Sequence, residues 1–157
     1  MFESILLICT GNICRSPIAD RILLRAFPQK KITSVGLEAL VGYSADATAA
    51  RVAATMGICL AGHTVRSFDI TEANKHALLL VMEQSQLEKI SLMAPELRGK
   101  VMLLGRWNGN RDIPDPYKKS DAAFESVLNL IALACEQWAN KLSIQNSGNK
   151  DDHNNDQ

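Results

Sequence analysis

A cysteine and an arginine six positions apart, Cys9 and Arg15, are the residues of this sequence best placed to do chemistry. They bound the segment Cys9-Thr10-Gly11-Asn12-Ile13-Cys14-Arg15-Ser16, which follows the apolar run Ile5-Leu6-Leu7-Ile8 and leads into Pro17 and a helical pattern. A loop between a strand and a helix turns its backbone N–H groups inward as a nest for an anion. The helix start adds the positive end of its dipole, and Arg15 adds a planar fork that can hold two phosphate oxygens. The same positive field favours the thiolate of Cys9, and a thiolate beneath a bound phosphoryl group is placed for in-line attack through a phosphocysteine. Thr10, Gly11, Asn12, Ile13, Cys14, Arg15 and Ser16 are therefore the phosphate-binding candidates, with Gly11 expected to take the backbone angles that other residues resist. The bare spacing is common by chance. The strand before it, the glycine within it and the Ser-Pro helix start after it are what give it weight.

An attack of this kind needs an acid, because the departing oxygen is a poor leaving group unless it is protonated as it goes. The proline-containing loop Gly105–Tyr117 offers Asp112 and Asp115. Asp115 stands in Asp115-Pro116-Tyr117, where the proline stiffens the chain beside the carboxylate. An aspartate before a proline is also an ordinary turn residue. It becomes a catalytic candidate because its loop can reach the sheet edge at which Cys9 stands.

The elements that must position these groups follow from periodicity. A strand is expected over Ser4–Cys9, then a helix to about Ala26 with Ser16 as N-cap and Pro17 in the first turn. Further strands are expected near Ile32–Val35, Ala77–Met82 and Lys100–Leu104. Further helices are expected from Asp46 to Met56, from Thr71, over Gln84–Met93, and over Asp121–Leu142. Strands alternating with helices imply an α/β fold: a parallel sheet covered on both faces, with ligands bound beyond the carboxyl ends of the strands. Residues 1–142 read as one domain, and the polar stretch 143–157 as a disordered tail.

Composition narrows the function. Seventeen basic and seventeen acidic residues balance, which argues against a nucleic-acid or membrane-surface protein. No apolar run approaches the roughly 20 residues of a membrane span, and the N-terminus lacks the basic start of a signal peptide. The four cysteines, Cys9, Cys14, Cys59 and Cys135, then suggest a reducing cytoplasm, with Cys59 and Cys135 as buried residues. His63, His76 and His153 show no paired spacing, so neither a metal nor any other cofactor is expected.

With Cys9–Pro17 and Asp115–Tyr117 both in view, the chain resembles the low-molecular-weight protein tyrosine phosphatases. The likeness extends over about residues 3 to 142. The segments Gly36–Gly42, Met93–Gly99 and Ile113–Lys119 look most like bacterial members that accompany capsule or exopolysaccharide tyrosine kinases. The resemblance implies a three-layer α/β/α fold with a central four-stranded parallel sheet and flavodoxin-like winding. It implies Cys9 as nucleophile, Arg15 as phosphate clamp, and Asp115 as general acid and then base. It also implies that Asn12 braces the loop and that Ser16 hydrogen-bonds the thiolate. A monomer acting on a tyrosine-phosphorylated protein, such as a membrane tyrosine kinase, is the implied setting. Two departures stand out: Ser34-Val35-Gly36 replaces the family's Ser-Ala-Gly, and Leu40 stands where animal members carry an aromatic wall. Tyr117 is then the expected aromatic wall of the pocket.

Two other functions share these motifs. A thioredoxin-coupled arsenate reductase of the same fold needs relay cysteines near the third strand, and 77–93 contains none. A non-catalytic phosphoprotein-binding module would lack Cys9, Arg15 or Asp115, and all are present. Cys14 keeps two readings: a reversible disulfide partner that protects Cys9, or a small residue packing under the loop.

Overall fold

The computed structural model describes residues 2–155, with side chains for residues 2–143. Four strands form one parallel sheet in the order β2-β1-β3-β4: β1 Ser4–Cys9, β2 Lys31–Gly36, β3 Leu78–Val81 and β4 Val101–Leu103. Five α-helices connect and cover them: α1 Arg15–Ala26, α2 Ala47–Thr55, α3 Ile70–Asn74, α4 Gln84–Met93 and α5 Asp121–Asn155.

The sequence of β1 shows why the helices take both faces. Ile5, Leu6, Leu7 and Ile8 are all fully buried, as a strand inside a parallel sheet must be. Alternation sends them to two separate cores. Ile5, Leu7 and Cys9 join Leu78 and Leu80 against α1, α2 and α5. Leu6 and Ile8 join Val35, Leu79 and Val81 against α3 and α4. The result is the expected three-layer α/β/α arrangement. The chain leaves β2 on one side of β1 and resumes with β3 on the other, so the crevice beyond β1 and β3 is a topological switch point.

Three expectations need correction. Ser16 is not the N-cap of α1. The helix begins at Arg15, Cys14 occupies the cap position, and no side chain caps it. The first-turn N–H groups are thereby left for a ligand, and the Ser16 hydroxyl is spent elsewhere. Cys59 is exposed rather than buried. It lies in the irregular segment after α2, where its neighbours Ile58 and Leu60 take the core positions. Finally, α5 extends past Leu142 to Asn155. The tail expected over 143–157 falls almost wholly on residues whose side chains lie outside the described ones. Among the described residues no helix is long and apolar enough to cross a membrane.

Candidate active site

The loop between β1 and α1 closes around the sulfur of Cys9. The Asn12 backbone N–H donates to Cys9 Sγ at 3.1 Å, and Ser16 Oγ lies 3.0 Å from it. The tight return is made by Asn12, whose φ is +58°, and not by Gly11 as expected. Asparagine tolerates this left-handed conformation because its side chain can bond locally. Here that side chain is fully engaged. Its Nδ2 donates to Ser16 Oγ at 2.8 Å and to Ser34 Oγ at 2.9 Å, while Oδ1 accepts from the Arg66 backbone N–H at 3.0 Å. His63 Nε2 donates to the Asn12 carbonyl at 2.7 Å. Partial burial outweighs that bond and holds the His63 pKa below its ordinary value.

Two neighbours fix the loop from the sheet. Leu37 N donates to Cys9 O and Glu38 N to Thr10 O, which stitches the chain after β2 onto the loop. Gly36 makes that approach feasible: a Cβ there would sit 2.6 Å from Thr10 O and 2.9 Å from Asn12 N. On the other flank, Gln86 Oε1 accepts from the N–H groups of Met82 and Glu83, and its Nε2 donates to Thr10 Oγ1 at 3.1 Å.

Arg15 is 1 % exposed. Its Nη1 donates to the Ile113 carbonyl at 2.8 Å and pairs with Glu83 at the end of β3. Its Nη2 lies 3.7 Å from Asp115 Oδ2. Burial works against the charge, but Cys9, Glu83 and Asp115 outweigh it and hold the guanidinium pKa above its ordinary value. Arg15 therefore joins the two loops: its own, and the one that carries the acid.

Asp115 and Asp112, equivalent on paper, part company here. Asp112 Oδ1 accepts from Gln84 N at the start of α4, a helix-terminus role. Asp115 turns to the cavity, its Oδ1 accepting from Tyr117 N at 3.0 Å. Cys14 Sγ lies 3.8 Å from the same oxygen. Burial, followed by the negative charges of Cys9 and Asp115, pushes the Cys14 thiol well above the ordinary range. Cys14 is thus a protonated thiol beside the acid. All four cysteines are free.

These groups share one cavity of about 430 Å³, with Cys9, Arg15 and Asp115 within it and Leu40, Tyr43 and Tyr117 on its wall. The cavity thus brings together every expected catalytic residue and both expected pocket residues. Sequence reasoning missed Tyr43, Glu83, Gln86, His63 and Ser34, whose places depend on contacts between distant segments. A wider hollow of about 620 Å³ lies beside it, lined by Ala50, Ala54 and Cys59, and gathers no comparable set of reactive groups.

Comparison with known proteins supplies the family. Residues 4–148 match the family described as low molecular weight phosphotyrosine protein phosphatase. The chain belongs to that family. Among its relatives are the low molecular weight protein-tyrosine-phosphatases Etp and Wzb of Escherichia coli K12. Etp is 47 % identical over 142 residues, spanning 90 % of this chain and 96 % of the relative. Wzb is 46 % identical over 145 residues, spanning 92 % and 99 %. The crystal structure of the tyrosine phosphatase Wzb from Escherichia coli K30 in complex with sulphate superposes with a TM-score of 0.88 at 56 % identity, covering 90 % of this chain and 99 % of that one. The four-stranded parallel sheet and its helices are thus the phosphatase fold.

Proposed function

We propose that this phosphatase hydrolyses phosphotyrosine in proteins, with Cys9 as nucleophile, Arg15 as clamp and Asp115 as acid and base. One observation carries the assignment: the sulfur, the guanidinium and the carboxylate line the same cavity, on two loops that Arg15 joins. The phosphate sits in the nest of loop N–H groups against Arg15, whose fork matches two of its oxygens. The Cys9 thiolate, steadied by the Asn12 N–H and the Ser16 hydroxyl, attacks phosphorus. The S–P bond forms as the bond to the tyrosine oxygen breaks, and Asp115 gives that oxygen its proton. The resulting Asp115 carboxylate then takes a proton from water as the water displaces sulfur, which releases phosphate and restores the thiolate. Cys14, neutral and buried, adds no negative charge to the approaching phosphate.

Tyrosine is favoured over serine by depth. Cys9 is 2 % exposed, whereas Leu40, Tyr43 and Tyr117 at the cavity wall are 65, 63 and 45 % exposed. An aromatic side chain spans that distance with its ring against apolar walls, and the shorter phosphoserine falls short. The names of Etp and Wzb favour a tyrosine-phosphorylated substrate. A membrane tyrosine kinase of exopolysaccharide or capsule production, met by a monomer at its cytoplasmic side, is the partner we assign. An arsenate-reductase relay finds no support: Cys59 lies in the neighbouring hollow and Cys135 is fully buried.

The test is phosphate release from p-nitrophenyl phosphate, a phosphotyrosine peptide and a phosphoserine peptide. Cys9→Ser should lose on the order of 10⁴-fold or more, and the phosphoserine peptide should be a poor substrate. Equal rates for wild type and Cys9→Ser would overturn the assignment.

A further inference from the structure

The turn from β3 into α4 stands behind the phosphate site and is drawn together by one amide. Gln86 Oε1 accepts from two backbone N–H groups, Met82 at 2.9 Å and Glu83 at 3.0 Å. Two donors at one atom fix which end of the carboxamide is the oxygen. Nε2 is thereby aimed at Thr10 Oγ1, 3.1 Å away in the Cys9 loop. The other side of Thr10 is held as well, its carbonyl accepting from Glu38 N at 2.9 Å. Glu83, whose N–H Gln86 receives, gives its carboxylate to Arg15. Gln86 thus reaches both parts of the phosphate site: the loop directly at Thr10, and the guanidinium through Glu83.

We propose that Gln86 is a positioning residue for the bound phosphate: it brackets the loop nest and the Arg15 fork and sets the spacing between them. The proposal rests on the reading that phosphate binds between that loop and Arg15. Gln86 does not line the cavity, whereas Thr10 and Arg15 do. It is 5 % exposed, so water is a poor substitute for any of its three bonds. The bracket explains the residue type. The place needs one acceptor for two N–H groups and one donor for a hydroxyl, without charge. A glutamate would accept the same N–H groups but bring a second negative charge, beside that of Glu83, toward the phosphate. An apolar residue would orphan the N–H groups and release Thr10.

Loss of the α4 start as a whole is a different event with a different signature. Gln84 N, in the same turn, donates to Asp112 Oδ1 and so helps hold the loop that carries Asp115. If Gln86 only kept that turn folded, its removal would disturb the acid as well. Substrates with poor leaving groups would then suffer most. A loosened bracket weakens the hold on phosphate equally for every leaving group. The leaving-group dependence therefore decides between them.

The experiment reads phosphate affinity in the full chain from the protection that inorganic phosphate gives Cys9 against iodoacetamide, with mass spectrometry separating Cys9 from Cys14 and Cys59. Alongside, kcat/KM is measured for p-nitrophenyl phosphate and phenyl phosphate, a good and a poor leaving group. Gln86→Met should raise the phosphate Kd about 2- to 10-fold, the worth of a neutral hydrogen bond, and lower kcat/KM by a similar factor for both substrates. Thr10→Val keeps the loop backbone and removes only the hydroxyl, so its effect should have the same sign and be smaller. In a Thr10→Val background, Gln86→Met should add less than it does in wild type. Thr10→Val leaves the α4 start intact and tests the bracket even if Gln86→Met does not fold. An unchanged Kd in either folded variant, a larger loss for phenyl phosphate, or full additivity would overturn the proposal. Any of these beside an Arg15→Ala variant that has lost phosphate protection sinks the bracket alone. Protection retained in Arg15→Ala sinks the phosphate site and the bracket together.

Discussion

The two loops of the active site are built in opposite ways. The Cys9–Ser16 loop is clamped from behind: Asn12 reaches Ser16, Ser34 and Arg66, Gln86 holds Thr10, and His63 holds the Asn12 carbonyl. The Asp115 loop is pinned at Ile113, by Met82 O and Arg15, and at buried Pro116, with the acid between them. The Asp115 side chain is 44 % exposed, against 2 % for Arg15. The contrast follows the chemistry. In the proposed mechanism the sulfur must stay in line with the phosphorus while the guanidinium holds the phosphate oxygens beside it. On the mechanism proposed above, the carboxylate serves two oxygens in turn, first the departing tyrosine's and then the attacking water's.

The contrast can be broken first at the looser loop. Asp115→Asn should lower kcat by about 10²- to 10⁴-fold on a phosphotyrosine peptide. The loss should shrink for substrates whose leaving group needs no proton. A uniform loss across leaving groups would mean that Asp115 shapes the loop and donates no proton.

The next effect lies behind the rigid loop and concerns stability. Burial raises the Asp20 pKa to about 6, against the lowering influence of Ser34 and Arg21. A carboxyl group with a raised folded-state pKa stabilises the fold most below its unfolded pKa, and that contribution is lost as pH rises through about 6. Asp20→Asn should therefore be more stable than wild type at pH 8, by about 3 kcal/mol at most, and the gain should vanish near pH 4. Denaturant titrations at both pH values check this; an equal gain at both would put the origin in packing.

Gly36→Ala tests the rigid loop directly. Its Cβ would strike Thr10 O and Asn12 N, both backbone atoms. A cost of about 1–3 kcal/mol in stability is expected, with kcat falling as the loop shifts. Unchanged activity would show that the loop has slack. Tyr117→Ala, on the looser loop, should be mildest: KM for phosphotyrosine rising about 2- to 10-fold with kcat nearly kept.

Much of this division was legible in the sequence. Cys9, Arg15 and Asp115 stood out because strand, loop and helix signals surrounded them. The buried run Ile5–Ile8 announced a central parallel strand. What escaped notice was whatever depends on distant segments meeting. Glu83 and Gln86 read as an ordinary helix start, yet they reach Arg15 and Thr10. Ser34 read as one residue of a short strand. Ser16 was misassigned for a related reason. A serine before a proline caps helices by default; the fold denies Ser16 that role and leaves it the one the resemblance implied, with its hydroxyl turned to Cys9 and held by Asn12. Gly11 misled likewise, because the left-handed turn falls on the asparagine beside it.

The place of β1 has a consequence for the life of the newly made chain. It pairs with β2 on one edge and β3 on the other, so its carboxyl end is shaped only after residues more than seventy positions away have docked. Such non-local pairings form late, after the entropy of long loops has been overcome. The partners of Arg15, at Glu83, Ile113 and Asp115, arrive with or after them. The geometry of the site is thus a property of the whole fold, not of the short segment that carries Cys9 and Arg15.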